Sequence, residues 1–218
     1  NVETKPKESD ERDATPEERA VIIGVIEKAF SGFKIPNLVL KVKTFEEDAN
    51  GFRKGGEMYN GIMTISPAVM ERIMARQTER SVHILRHEFG HWVDFSGEYA
   101  YSARRDWDAA VAEFDHFVKT KATEEQKQFL NYILSYRNSK AHKYPAEVFA
   151  ELMGIMAVRP KFVEENMPTA FRIMNEALSE QLDLLPNTTT PEETITKDSD
   201  GGPISDETGE PLVVYHAT

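Results

Sequence analysis

The segment that most constrains the fold is residues 79–95, which contains the pattern His-Glu-x-x-His at residues 87–91. Side chains four residues apart lie on the same face of an α-helix, so this spacing directs His87 and His91 towards one small ion. The pattern is typical of zinc-binding helices. Glu88 lies about 100° further around the helix, and we expect it to act on a water molecule as a base and not to be a ligand.

The residues around this pattern favour a helix with one buried face. Five apolar residues lie opposite His87: Val82, Leu85, Phe89, Trp92 and Val93. Asp94 shares the histidine face, and we predict that its carboxylate accepts the outer N–H of a ligand imidazole. Gly90 weakens the helix by about 1 kcal/mol, which indicates close approach of another backbone. His83 is predicted to be a supporting or ordinary histidine, because three imidazoles stacked on one straight helix cannot converge on one ion.

A second helix, predicted from Pro145 to about residue 158, carries two glutamates on an otherwise apolar surface. Glu147 and Glu151 are four residues apart, and two buried carboxylates need a compensating positive charge. The alternative is a solvated edge of the helix. Because two histidines are already available, a carboxylate is the expected third zinc ligand. Glu147 is the preferred ligand and Glu151 the preferred hydrogen-bond partner of a ligand histidine, with the reverse assignment open.

Composition excludes several classes of function. The chain has no cysteine, so neither disulfides nor thiolate metal sites are available. Its net charge of −11 argues against binding to nucleic acid or to an anionic membrane. We find no apolar run of membrane-spanning length and no signal peptide, which leaves host cytoplasm and secretion both open. Because the chain begins with Asn1, we expect a fragment or a processed product.

The order of predicted elements indicates an α+β fold, mostly helical, with a small mixed sheet. Residues 1–14 are predicted to be a flexible segment, residues 15–185 the folded domain, and residues 186–218 a linker followed by the first strand of another domain. Strands are predicted in residues 38–45 and 62–66, separated by a loop over residues 46–60. The second strand is either an ordinary sheet strand or an edge strand that pairs with an extended peptide substrate. Further helices are predicted in residues 16–30, 67–75, 103–119, 123–134 and from 168 onward, with a loop over residues 135–144.

The two helix motifs together, His-Glu-Phe-Gly-His and Glu-x-Phe-Ala-Glu, resemble those of the gluzincin metallopeptidases, and most closely the catalytic domain of the anthrax lethal factor family. The likeness extends from about Gly61 to Leu185. It implies a zincin-like metallopeptidase fold. It also implies zinc ligands at His87, His91 and Glu147, a catalytic glutamate at Glu88, and a supporting glutamate at Glu151.

The chain departs from this family at one position. The family has a catalytic tyrosine seven residues before the ligand glutamate, where this chain has Lys140. Tyr136 and Tyr144 lie in the same predicted loop, and either is a candidate for stabilising the oxyanion.

These observations predict a zinc-dependent endopeptidase that acts on a protein or peptide, as an effector or in processing a polyprotein. The alternatives are a catalytically inactive zincin-fold binding module with a structural zinc, and a metal hydrolase acting on a non-peptide bond. Residues 209–218 resemble the opening strand of ADP-ribosyltransferase-like domains in phage and mobile-element polyproteins. That likeness implies fusion to such a domain in a longer protein; the alternative is an unstructured tail.

Overall fold

The computed structural model describes residues 10–47, 54–76, 79–139 and 143–182, all of which belong to one compact unit. Its architecture is α+β, as predicted, with a predominance of helix over strand. The predicted linker and final strand, in residues 186–218, lie outside the described residues, as does Lys140.

Four strands and eight helices make up the described part of the chain. The strands are β1 (Arg12–Asp13), β2 (Val39–Val42), β3 (Gly56–Tyr59) and β4 (Ile62–Ile65). The helices are α1 (Pro16–Ala29), α2 (Pro67–Arg76), α3 (Glu79–Phe95), α4 (Trp107–Thr120), α5 (Glu124–Ser139), α6 (Tyr144–Met156), α7 (Pro160–Asn166) and α8 (Pro168–Gln181). A short 3-10 turn, Tyr101–Ala103, connects α3 to α4.

The sheet has the strand order β1-β2-β4-β3, which decides between the two interpretations of residues 62–66. They form an ordinary sheet strand and not an edge strand, because β4 pairs in parallel with β2 and antiparallel with β3. The edge next to β4 is formed by β3, which lies inside the predicted loop 46–60. Asn60 and Gly61 both have positive φ angles, 49° and 74°, so they form a two-residue hairpin turn that returns the chain along β3.

Part of the N-terminal segment predicted to be flexible is ordered. Arg12 and Asp13 form β1, antiparallel to β2, and the side chain of Glu11 lies 2.5 Å from the ammonium group of Lys41. Arg12 also makes a two-pronged ion pair with Glu18 at 2.7 Å. The segment has few apolar residues, so these polar contacts left no periodic signal in the sequence.

The helix predictions are largely confirmed. Thr15 caps α1 by accepting a hydrogen bond from the Glu18 N–H at 3.2 Å, while the Glu18 carboxylate accepts one from the Thr15 N–H at 2.8 Å. Helix α3 has the predicted bounds. The predicted start of the loop over residues 135–144 is wrong, because α5 continues to Ser139. Helix α7 was not predicted. None of the described helices is long and apolar enough to cross a membrane.

Candidate metal centre

The site lies where α3 crosses α6, and small residues set how closely the two helices approach. A Cβ atom at Gly90 would lie 2.8 Å from both Cα and the carbonyl oxygen of Ala150. A Cβ atom at Gly154 would lie 3.5 Å from the backbone nitrogen of His87. The close backbone approach predicted from Gly90 is therefore confirmed. It brings the glutamates of α6 within reach of the histidines of α3.

Three of the predicted ligands converge at this crossing. Nε2 of His87 lies 3.5 Å, and Nε2 of His91 lies 3.7 Å, from Oε2 of Glu147. The two imidazole rings are nearly perpendicular, with centroids 4.9 Å apart. The three side chains are only 11–12% exposed. The structure thus brings together the two histidines and the glutamate that the sequence identified as the preferred ligand.

The separations and chemistry of these atoms fit a zinc ion. Zinc–nitrogen and zinc–oxygen distances near 2.0–2.1 Å in a tetrahedral site place neighbouring donor atoms roughly 3.3–3.5 Å apart. The distances from Glu147 are close to this value and too long for strong hydrogen bonds. Among the described residues, Oε2 of Glu147 is buried and accepts no hydrogen bond. A buried, ionised oxygen without a donor, facing two imidazole nitrogens, is the arrangement expected around a cation.

The charges of the site favour binding of a cation through exchange with protons. Burial disfavours the charged imidazolium, but the carboxylates of Glu147 and Glu151 outweigh it and raise the pKa of His87 to about 10. Burial likewise disfavours ionised Glu147, but the adjacent imidazoles lower its pKa to about 2. A metal ion that binds through His87 would therefore compete with protons for its imidazole.

Glu151 contacts the outer nitrogen of one candidate ligand, as predicted. Its Oε2 lies 3.1 Å from Nδ1 of His87, and its side chain is 6% exposed. The same oxygen lies 3.1 Å from Nε2 of His83. Burial opposes ionisation of Glu151, but the two histidines lower the pKa of its carboxyl group well below the usual range. His83 therefore contacts Glu151 and does not belong to the group of three candidate ligands.

The predicted contact between Asp94 and a ligand imidazole is not present. Both carboxylate oxygens of Asp94 accept hydrogen bonds at 2.7 Å from Ser102, one from its backbone N–H and one from its hydroxyl group. Nδ1 of His91 is buried and has no hydrogen-bond partner among the described residues. The ring of His91 instead stacks on Phe95, with centroids 6.0 Å apart. Asp94 fixes the 3-10 turn that follows α3, a role that depends on a distant residue and was invisible in the helical pattern.

Glu88, the predicted base, is buried beside the edge strand β3. Its Cγ lies 2.9 Å and its Oε1 lies 3.0 Å from where a Cβ atom at Gly56 would be, so a larger residue at position 56 would displace this side chain. Burial raises the pKa of the Glu88 carboxyl group, although His87 and His91 counteract this effect. A carboxylate with a raised pKa is better suited to carry a proton near neutral pH.

The structure places the two candidate tyrosines on different helices, α5 and α6. Tyr144 is the first residue of α6, and its hydroxyl donates a 2.7 Å hydrogen bond to Asp115 on α4. Burial and the Asp115 carboxylate raise the pKa of Tyr144 above its usual value. Tyr136 lies within α5, buried in the hydrophobic core and 8% exposed. The sequence missed this placement because it ended α5 too early.

Comparisons of this chain with protein-family models, curated proteins and solved structures gave no match.

Proposed function

We propose that this protein is a zinc-dependent endopeptidase with a zincin-like fold. The observation that carries the proposal is the buried Oε2 of Glu147, which accepts no hydrogen bond within the described part of the chain and faces Nε2 of both His87 and His91 at 3.5 and 3.7 Å. Two imidazoles and one carboxylate are a common ligand set of catalytic zinc sites, which keep one coordination position for water or substrate.

The proposed chemistry divides among the residues already described. His87, His91 and Glu147 would hold the zinc ion, which would supply Lewis acidity to activate water and polarise a carbonyl group. Glu88 accepts a proton from the attacking water and donates it to the leaving amine, so that one carboxyl group serves as base and then as acid.

The edge strand supports a peptide as the substrate. In the described part of the sheet, β3 pairs with β4 on one side only, and Gly56 at its start contacts Glu88. An extended peptide that adds to the free edge of β3 would present its backbone to the carboxylate. This assigns to β3 the substrate-pairing role that the sequence had suggested for residues 62–66.

The proposal is tested by measuring zinc content and peptide hydrolysis in the same preparations. The wild-type protein is expected to bind one zinc ion and to cleave members of a random peptide library. Glu88→Gln should retain zinc and lose about 100-fold or more of the cleavage rate, because the base is removed. Glu147→Gln should lose zinc, whereas Glu165→Gln, an exposed glutamate on α7, serves as the matched control and should retain both properties.

Each outcome has a distinct meaning. A folded wild-type protein that binds no zinc at micromolar concentration would refute the proposed site. Bound zinc without cleavage of any library member would favour a binding module with a structural zinc. Cleavage of ester or non-peptide amide substrates alone would favour a different metal hydrolase.

A further inference from the structure

One carboxylate oxygen at the site contacts two imidazoles. Oε2 of Glu151 lies 3.1 Å from Nδ1 of His87 and 3.1 Å from Nε2 of His83. His83 and His87 are one turn apart on α3, and Glu151 projects between them from α6. Glu151 is 4% exposed, so its ionised oxygen depends on protein donors and not on solvent.

The directions of these hydrogen bonds follow from their chemistry. Nε2 of His87 faces Glu147, so metal binding through Nε2 leaves Nδ1 as the protonated nitrogen. An ionised carboxylate can only accept, and Nδ1–H of His87 therefore donates to Glu151. By the same reasoning, Nε2–H of His83 donates to the same oxygen. Glu151 is held from two directions, and its position determines the tautomer and ring orientation of His87.

The ring of His83 packs against α6 beside Gly154. A Cβ atom at Gly154 would lie 3.4 Å from Cε1 of His83, at the limit of ordinary contact. The side chain of His83 is 16% exposed, so the ring is packed against α6 and does not extend into solvent.

We propose that His83 is a positioning residue of the metal site, which acts on the divalent cation through Glu151 and His87. This inference rests on the proposed function, because it requires that His87 binds a metal ion. A series of contacts runs from His83 to Glu151 to His87. Through this series, His83 strengthens binding of the metal ion without touching it.

The test is the zinc dissociation constant, measured by competition with a chelator of known affinity. His83→Ala should weaken zinc binding about tenfold, the lower end of the range for residues that orient metal ligands. His83→Gln should restore binding to within about threefold, because its amide nitrogen reaches the place of Nε2. His83→Asn has the same amide group, but its nitrogen takes the place of Nδ1 and not of Nε2. This variant should therefore bind zinc as weakly as His83→Ala. His116→Ala, an exposed histidine on α4, is the control and should not change the constant.

Two further measurements separate positioning from general damage to the fold. The double variant His83→Ala/Glu151→Gln should bind zinc no more weakly than Glu151→Gln alone, since both changes act through one contact. The visible spectrum of the cobalt-substituted protein should shift in His83→Ala and return towards wild type in His83→Gln. If His83→Ala does not fold, the comparison of Asn with Gln carries the test alone.

The inference would be overturned by equal zinc affinity in the wild type and His83→Asn, by equal losses in the Asn and Gln variants, or by multiplied losses in the double variant. A wild type that binds no zinc would overturn it together with the proposed function. If zinc binding depends on His83 as expected but no peptide is cleaved, the inference stands and only the proposed activity fails.

Discussion

Replacing Gly90 with alanine should destabilise the protein, although alanine is the better helix former. Gly90 lies in the middle of α3, at the crossing with α6. The added Cβ would lie 2.8 Å from Cα and from the carbonyl oxygen of Ala150, and 3.0 Å from Cβ of Met153. The two nearest atoms belong to the backbone, so no side chain can rotate away, and the two helices have to separate.

Two opposing effects determine the magnitude. Overpacking of a tight interior costs about 1–3 kcal/mol, and a clash with backbone places Gly90→Ala at the upper end. Alanine recovers about 1 kcal/mol through its higher helix propensity. The net loss in the free energy of unfolding is therefore about 2 kcal/mol. For a domain of this size, the melting temperature should fall by about 4–8 °C.

Gly24 provides a matched control for this substitution. It lies within α1, and a Cβ atom there would have no neighbouring atom within 4 Å. Gly24→Ala should therefore show only the gain in helix propensity, about 1 kcal/mol. Both variants should be compared by urea unfolding with a chelator present, and then by zinc affinity, which should fall in Gly90→Ala alone. A Gly90→Ala protein as stable as Gly24→Ala would refute the described approach of α3 to α6.

Two further predictions concern the base and the N-terminal segment. Gly56→Ala should leave stability and zinc content nearly unchanged but lower kcat for peptide cleavage about 100-fold, because the new methyl group displaces the Glu88 side chain from β3. Glu18→Gln should reduce stability near pH 6 by less than about 1 kcal/mol, and the difference should shrink as the pH falls towards about 2, as followed by urea unfolding. The direction of this pH dependence follows from the ion pair with Arg12, which lowers the pKa of Glu18 from 4.5 to about 2. Its stabilisation is present above pH 4.5 and is lost as the pH falls towards about 2.

Each of these predictions has a result that contradicts it. Unchanged kcat in Gly56→Ala would mean that the position of Glu88 against β3 is not needed for catalysis. A stability difference between the wild type and Glu18→Gln that persists to about pH 2 would show that the ion pair is not its cause.

Much of the candidate site was predictable because it depends on local periodicity. The His-Glu-x-x-His spacing fixes one face of α3, and the spacing of Glu147 and Glu151 fixes one face of α6. Gly90, inside a helix that it weakens, correctly indicated close backbone contact. These features depend on residues within one or two turns of each other, so a single sequence contains them in full.

The errors occurred where the partner of a residue lies outside its own helix or strand. Asp94 lies on the histidine face by periodicity, but Ser102 supplies two donors and holds it there. Tyr144 lies close to Glu147 in sequence, yet its hydroxyl reaches Asp115 on α4. Strand β3 is too short and polar to stand out, and only pairing with β4 makes it a strand.

The sequence by itself therefore determined which chemical groups are available and which helix face carries each of them. The tertiary structure decided which groups meet. Helix α3 offers three histidines at four-residue spacing, and the sequence predicts that His83 is not a ligand but does not show which group it contacts. The crossing at Gly90 and Gly154 supplies these contacts, because it sets Glu147 between His87 and His91 and sets Glu151 between His83 and His87. The physical reason is that side-chain direction follows from local backbone geometry, whereas the distance between two helices depends on how closely their backbones can pack.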